Sequence, residues 1–243
     1  MIMFKKLAPL SIEAHKDICI AVQSNYDFAK EVHLVAVMAA EFIRAAVHYP
    51  IVFIEDEQAK FTPVVLLGFQ TGENLWVDES GQWDAAYIPA IIRRYPFALA
   101  PKPDSEEFAV CLDVESDLLG GQGNPLFNDD GAPSQMLERA KQFLGELNNM
   151  EVATKGLCEM LTQHNLLTPL NVRVQLSTGV RDVAGCYAVN QDRLNKLADQ
   201  DFLALRNANA LAPIFHHLAS LQQVESLVKR EQALAPAPQQ PRH

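Results

Sequence analysis

The sequence predicts an α+β fold, with a strand-rich, mixed or antiparallel sheet in the first half packed by helices mainly from the second half. Short apolar runs separated by turn residues dominate the first half, and apolar residues at helical spacing dominate the chain after Ser134. A 243-residue chain can bury roughly 70–75% of its unfolded surface. The chain therefore needs no disulfide or metal to stabilise its core, and its length allows one large domain or two small ones. We expect a single domain over residues 1–231 and a Pro-rich, disordered tail over residues 232–243.

The first half contains four short β-compatible runs. They are "DICIAV" (17–22), "HLVAV" (33–37), "IVFIED" (51–56) and "TPVVLLGF" (62–69). Pro50 supports the third strand, because a proline disfavours the helical conformation of the residue before it.

The remainder of the first half alternates between turns and short elements. The segment "NLWVDESGQW" (74–83) indicates a β-hairpin with a turn at Ser80–Gly81. Short helices are predicted over residues 37–48 and 85–94, and a strand over 107–116.

The second half is predicted to be mainly helical. Ser134 is a candidate N-cap for a first helix that reaches Leu147, and a second helical stretch runs over 152–167. Two strands are predicted over 172–178 and 186–190. Helices then fill residues 191–234, with a break at Pro213.

Charge and hydropathy exclude several classes of protein. The net charge of −10 argues against a nucleic-acid backbone or an anionic membrane surface as the main partner. The longest apolar region contains Glu41, Arg44 and Pro50, so no segment meets the requirement for a membrane span, and the N-terminus does not read as a signal peptide. We expect a soluble, cytoplasmic protein without membrane insertion.

The four cysteines, Cys19, Cys111, Cys158 and Cys186, each lie inside an apolar run, and none forms a C-x-x-C pair. They are expected to be buried free thiols in a reducing compartment, with a disulfide or a reactive thiol as the alternatives.

Two adjacent arginines, Arg93 and Arg94, lie between apolar residues in "YIPAIIRRYPFAL" (87–99). In a short helix that ends before Pro96 they occupy the last turn, near the negative end of the helix dipole. Adjacent helical residues project about 100° apart, so the pair cannot act as one fork. Two interpretations remain, an ion pair that stabilises the fold and the binding of a carboxylate or phosphate ligand.

The acidic segment "CLDVESD" (111–117) is the expected partner of one of these arginines. In an extended strand, Asp113, Glu115 and Asp117 share one face, where their charges need to be offset by arginine, a cation or water. Carboxylates are the ligands that magnesium and calcium prefer, but this pattern alone does not establish a site, and no metal or cofactor is predicted.

Other residues complete the list of candidates. His48, next to Tyr49, could act as a base or a ligand, or as a hydrogen-bonded structural residue. Trp76 and Trp83 flank the predicted hairpin turn and could form a ligand wall, a protein interface or part of the core. The sequence contains no nucleophile elbow, phosphate loop or H-E-x-x-H motif, so no catalytic residue is predicted.

Several segments together resemble the bacterial SapC family over about residues 10–230. The most specific are "YPIVF" (49–53) and "RRYPF" (93–97), supported by "NLWVDESGQW" (74–83). The family label derives from a surface-layer gene cluster. The resemblance also implies that the genes of family members lie beside genes for outer-membrane receptors and flavin-dependent halogenases. The resemblance implies a surface-associated or accessory role and brings no established catalytic residues.

We therefore expect a non-enzymatic accessory protein that recognises a partner protein or peptide in a surface-layer, outer-membrane-receptor or uptake-related system. The alternative is a metal-dependent or small-molecule tailoring enzyme, with a cleft formed by the acidic strand and the arginine pair. The candidate ligand-binding residues are Arg93, Arg94, Asp113, Glu115, His48 and Tyr49, and the candidate interface residues are Trp76 and Trp83.

Overall fold

The structure, a computed structural model, describes residues 3–102 and 107–234. It confirms the α+β class, because helices pack on sheets in which every strand pair is antiparallel. Residues 235–243, most of the predicted tail, lie outside the described residues. Residues 232–234 belong to the last helix, so the prediction that the tail begins at residue 232 is wrong.

The strands form three antiparallel sheets. They are β1 (Leu7–Pro9), β2 (Cys19–Ile20), β3 (Leu34–Ala36), β4 (Ile51–Glu55), β5 (Phe61–Leu66), β6 (Phe97–Pro101), β7 (Phe108–Asp113), β8 (Leu119–Gly120), β9 (Asn124–Pro125), β10 (Leu167–Leu176) and β11 (Gly179–Val189). The main sheet has the order β10-β11-β4-β5-β3, and the smaller sheets have the orders β1-β7-β6 and β8-β2-β9.

The helices come mainly from the second half, as predicted. They are α1 (Ile12–His15), α2 (Phe42–Ala45), α3 (Ala90–Arg93), α4 (Gln135–Gln163), α5 (Gln191–Asn195), α6 (Asp199–Asn207), α7 (Leu211–Ser220) and α8 (Gln223–Leu234). Single 3₁₀ turns occur at Asp27–Ala29 and Ala39–Glu41. Ser134 is the N-cap of α4, and its hydroxyl accepts the N–H of Leu137 at 3.2 Å. No helix in the described residues is long and apolar enough to cross a membrane.

The main sheet lies between helices on both faces. Side chains alternate along a strand, so Ile54 and Thr62, which are opposite each other in the ladder, share one face and Phe53 points to the other. Helix α4 borders the face of Thr62, and α7 packs on the face of Phe53, whose ring lies 5.0 Å from that of His217.

Helix α4 contributes to more than one hydrophobic cluster. Its last turns place Leu157 and Leu161 in the main core, while Leu137 and Leu144 pack in a second cluster with Leu112 of β7. The sequence predicted two helices here. The structure has one, because no proline or other strong helix breaker lies between them and the chain can continue along the same face. The single-domain interpretation stays a prediction.

Several predicted elements differ from the structure near prolines. Helix α3 has a single turn, because Pro89 adopts an extended conformation at its N-cap. Pro213 lies in the first turn of α7, where no intrahelical N–H is required, and the chain break precedes it at Asn209, which has a positive φ of 57°. Pro169 lies within β10, an edge strand that tolerates a missing N–H.

The predicted hairpin over residues 74–83 is mostly loop. A single bridge joins Val77 to Trp83, and β5 pairs with β3 and β4 instead of with this segment. The predicted helix over residues 37–48 divides into a 3₁₀ turn and the short α2. The sequence analysis missed β6, which pairs with β7 in the second sheet.

Candidate functional site

Arg93 and Arg94 lie at the end of α3, as the sequence predicted, and their side chains diverge. The exposed Arg93 donates its Nε–H to the carbonyl of Ile88 at 2.9 Å, and its guanidinium carbon lies 5.1 Å from the ring centroid of Phe143. The half-buried Arg94 places its guanidinium carbon 5.4 Å from the ring centroid of Phe4. The two charges therefore rest on different aromatic rings.

The predicted ion pair between the arginines and the acidic strand is wrong. Asp113 is fully buried, and its carboxylate accepts the backbone N–H groups of Lys5 and Lys6, each at 2.8 Å. The strand ends at Asp113, so the alternation that would align the three carboxylates stops there. Glu115 is exposed in the turn that follows, and the exposed Asp117 lies 3.4 Å from Nζ of Lys5.

Asp113 therefore links the N-terminal segment to the end of β7 through these two hydrogen bonds. The hydroxyl of Tyr95 also approaches its carboxylate, at 3.3 Å. These donors occupy the carboxylate of Asp113, and among the described residues no ion pair joins it to Arg93 or Arg94. Among the described residues, no group of three or more His, Cys, Asp or Glu side chains is arranged to hold a metal ion.

Tyr49 is a buried hydrogen-bonded residue. Its hydroxyl donates to the carbonyl of Tyr87 and accepts the indole N–H of Trp83 at 2.8 Å. Burial raises the pKa of Tyr49 above its ordinary value, so the hydroxyl is neutral at physiological pH. His48 is half-buried beside it, with the two ring centroids 5.8 Å apart.

The two candidate interface tryptophans belong to the same internal aromatic cluster. Trp76 is 6% exposed, and the guanidinium carbon of Arg230 from α8 lies 4.0 Å from its ring centroid. Trp83 is half-buried and contacts Tyr26 edge-on at 5.8 Å. The structure therefore brings Tyr49, Trp76 and Trp83 together through a ring contact and a hydrogen bond.

A groove lies over one face of the main sheet at its β3 end, and we call it the β3-edge groove. It has a volume of about 590 Å³, and its lining includes Phe4, Leu7, Leu34, Ala36, Ile91 and Arg94. A second cavity of about 190 Å³ extends it towards α4 and shares Ala36, Thr62 and Arg94 with it. The groove therefore passes from the N-terminal segment to α4 over the face of the main sheet.

The edge of β3 that faces away from β5 carries peptide groups that β5 does not satisfy. The carbonyl of His33 accepts the N–H of Leu67 at 2.7 Å, and the N–H of Val37 donates to the carbonyl of Pro63 at 3.1 Å. Hydrogen-bonding direction alternates along an antiparallel strand, so the N–H and C=O groups of Leu34 and Ala36 point away from β5.

Arg94 also lines a further cavity of about 260 Å³, and we call it the arginine cavity. Its lining includes Arg93, Arg94 and Arg139, together with Gln23 and the rings of Phe97 and Phe143, and contains no carboxylate. Nε of Arg94 and Nε2 of Gln23 are buried without a hydrogen-bond partner. Burial lowers the pKa of Arg94 below its ordinary value, and the negative charge of Glu151 opposes this shift.

The sequence analysis identified Arg93 and Arg94 but missed Gln23, Arg139 and the open edge of β3. Gln23 lies in a polar loop and Arg139 on an exposed face of α4, where arginine is common. Neither position has a sequence signal that distinguishes it from a solvated surface. The edge position of β3 depends on strand order, which the run "HLVAV" does not encode.

The four cysteines are free, as predicted. Cys111, Cys158 and Cys186 are buried, and Cys19 is half-buried. Burial raises the pKa of Cys158 to about 12, so this thiol is protonated and a poor nucleophile at physiological pH.

Comparison with known proteins supports the resemblance found in the sequence. No curated protein and no solved structure matches the chain. A family model described as SapC matches residues 10–227. This match includes both arginines, β3 and the internal aromatic cluster, and covers most of the 243 residues, so the chain belongs to the SapC family.

Proposed function

We propose that this SapC-family chain is a non-enzymatic accessory protein that binds an extended peptide segment of a partner protein in the β3-edge groove. The observation that carries the proposal is the position of β3 as the last strand of the main sheet, beside an apolar groove. Peptides commonly bind such edges by adding a strand, in which main-chain hydrogen bonds provide affinity and side-chain pockets provide specificity.

The geometry of β3 suits this mode of binding. An added strand would pair with the N–H and C=O groups of Leu34 and Ala36 that point away from β5. Every second side chain of an extended peptide faces the same side, so apolar residues at alternate positions would contact the groove. Leu7 and Leu34, together with Phe4 and Ile91, supply its apolar surface.

The family resemblance suggests the setting of this interaction. We propose a partner in a bacterial surface-layer, outer-membrane-receptor or uptake-related system, bound by this chain in the cytoplasm. The cytoplasmic assignment is supported by the four free thiols, which are typical of reducing compartments.

A display library of random decapeptides tests the proposal. Peptides enriched on the purified chain are synthesised, and their affinities are measured by fluorescence polarisation. Thr62→Lys places a charged side chain in the groove from an exposed strand position, and Thr71→Lys adds the same charge on an exposed turn elsewhere. We expect Thr62→Lys to weaken binding by about tenfold or more, and Thr71→Lys to change it by less than about twofold.

N-methylation of the selected peptides tests strand addition directly. Methylation removes a peptide N–H. It should abolish binding at every second residue, where the N–H pairs with β3, and be tolerated at the residues between, whose N–H groups point away from β3. Failure to enrich any peptide, equal binding to both lysine variants, or loss of affinity without this alternation would show the proposal to be wrong.

A further inference from the structure

We infer that the arginine cavity binds the carboxylate of a small organic acid with an aromatic or alkyl body, at a site separate from the β3-edge groove. Three independent features of the cavity lead to this assignment: its charge, its unpaired donors and its apolar wall.

The charge of the cavity is opposite to that of the whole chain. Three arginines and no carboxylate line it, whereas the chain has 30 Asp and Glu residues against 20 Lys and Arg. In the part of the chain that the structure describes, Arg93, Arg94 and Arg139 form no ion pair. Glu151 influences Arg94 electrostatically, but its carboxylate bonds to Lys155 at 2.7 Å. The cavity therefore lacks a counter-charge.

Two buried donors in the cavity lining lack acceptors. Nε of Arg94 and Nε2 of Gln23 belong to two lining residues on different elements, the end of α3 and the loop after β2, and neither atom has a partner. Buried N–H groups are almost always hydrogen-bonded in folded proteins. A carboxylate provides two oxygens and can accept from an arginine and a second donor at once, which matches this arrangement.

The remainder of the cavity is apolar. Phe97 and Leu144 are buried, and Met136 and Phe143 complete the wall. At about 260 Å³, the cavity lies just below the range of roughly 300–1,000 Å³ that is usual for drug-sized ligands. These walls would contact the body of an organic acid, whereas an inorganic anion would leave them without a partner.

The cavity and the groove can be tested separately. Arg94 lines both, but Gln23 and Arg139 line the cavity without bordering the groove, and Thr62 borders the groove without lining the cavity. A variant of each kind therefore affects one proposed site and leaves the other intact.

Isothermal titration calorimetry of the full chain with phenylacetate and hexanoate tests the inference. We expect saturable binding of at least one acid at one site per chain. The matching neutral amide should bind about tenfold more weakly or worse, because it loses a charge-assisted hydrogen bond. Inorganic phosphate should bind more weakly than the organic acid.

Variants assign the binding to the cavity. Arg139→Gln and Gln23→Leu should each weaken acid binding by about fivefold or more, with Arg139→Gln chosen because an exposed helical position tolerates it. Arg206→Gln removes an equal charge from an exposed site on α6 and should have no effect. Thr62→Lys should leave acid affinity unchanged even where it abolishes peptide binding.

The inference is wrong if neither acid binds, if the amides bind equally well, if phosphate binds more tightly, or if Arg139→Gln and Arg206→Gln behave alike. Competition between phenylacetate and a groove-bound peptide would show that the two sites are not separate. Peptide binding without acid binding would leave the proposed function standing and overturn only this inference.

Discussion

The guanidinium carbon of Arg94 lies 5.4 Å from the ring centroid of Phe4, at the junction of the β3-edge groove and the arginine cavity. This contact joins the end of α3 to the N-terminal segment without any carboxylate. Arg94 is therefore held by an aromatic ring and by packing, and within the described residues no ion pair neutralises its charge.

Replacing Arg94 by methionine should change the free energy of unfolding by less than about 1 kcal/mol. The variant loses a cation–π contact of about 0.5–1 kcal/mol, but it also removes a partly desolvated charge that has no ion-pair partner. Urea denaturation measures the difference. The comparison is Arg230→Met, which loses hydrogen bonds to Asp84 at 2.7 Å and Leu75 at 3.2 Å and should cost about 1–3 kcal/mol. Equal losses in both variants would contradict this account.

Replacing Asp113 by alanine should destabilise the protein by about 2–4 kcal/mol. The change leaves the N–H groups of Lys5 and Lys6 without their acceptor in a partly buried site. Thermal and urea unfolding would measure the loss. Glu115→Ala, two residues later in an exposed turn, should remain within about 0.5 kcal/mol of wild type. A large effect at Glu115, or none at Asp113, would disagree with the structure.

The buried His217 should make the protein less stable at acid pH. Its Nε2 accepts the N–H of Val189 at 3.0 Å, so Nδ1 carries the proton and donates to the carbonyl of Ile51 at 2.9 Å. Burial lowers the pKa of His217 from 6.5 to about 4. The unfolded chain therefore binds a proton at higher pH than the folded chain does, and acidification favours unfolding.

The contribution of the neutral His217 to the free energy of unfolding is fully present above pH 6.5. It is lost as the pH falls to about 4, and the total loss is about 3 kcal/mol. Urea denaturation across this pH window, compared between wild type and His217→Gln, isolates the effect. The variant should be less stable at neutral pH and show a shallower pH dependence. His216→Gln, at the adjacent position, is the control. Parallel pH profiles for wild type and His217→Gln would refute the assignment.

Truncation should locate the end of the folded unit. A chain that stops at Leu234 should retain the wild-type melting temperature, because the contacts of α8 with the main sheet and the aromatic cluster precede residue 235. A chain that stops at Lys229 loses Arg230 and the buried Glu231, whose carboxylate accepts the N–H of Ser177 at 2.9 Å. We expect that chain to unfold at a clearly lower temperature. Insoluble expression of the longer chain would show that residues 235–243 are needed.

Local sequence features were sufficient to predict strands and helix starts that depend on neighbouring residues. Short apolar runs predicted β3, β4 and β5, and the N-cap Ser134 marked the start of α4. Local features gave a wrong prediction at a proline that can either begin or end a helix. Pro213 was read as a break and lies instead in the first turn of α7, because a proline is compatible with the first turn of a helix as well as with its end.

Composition, motifs and helical geometry depend on neighbouring residues, so they were enough to predict the α+β class, the family and the divergence of Arg93 and Arg94. Tertiary structure decided the partners. Asp113 binds the backbone of Lys5 and Lys6, more than a hundred residues away, and Arg94 lies on Phe4. The grouping of Arg139 and Gln23 around one cavity likewise depends on how α4 packs against the loop after β2. Such long-range contacts follow from strand order and helix packing, which no local pattern encodes.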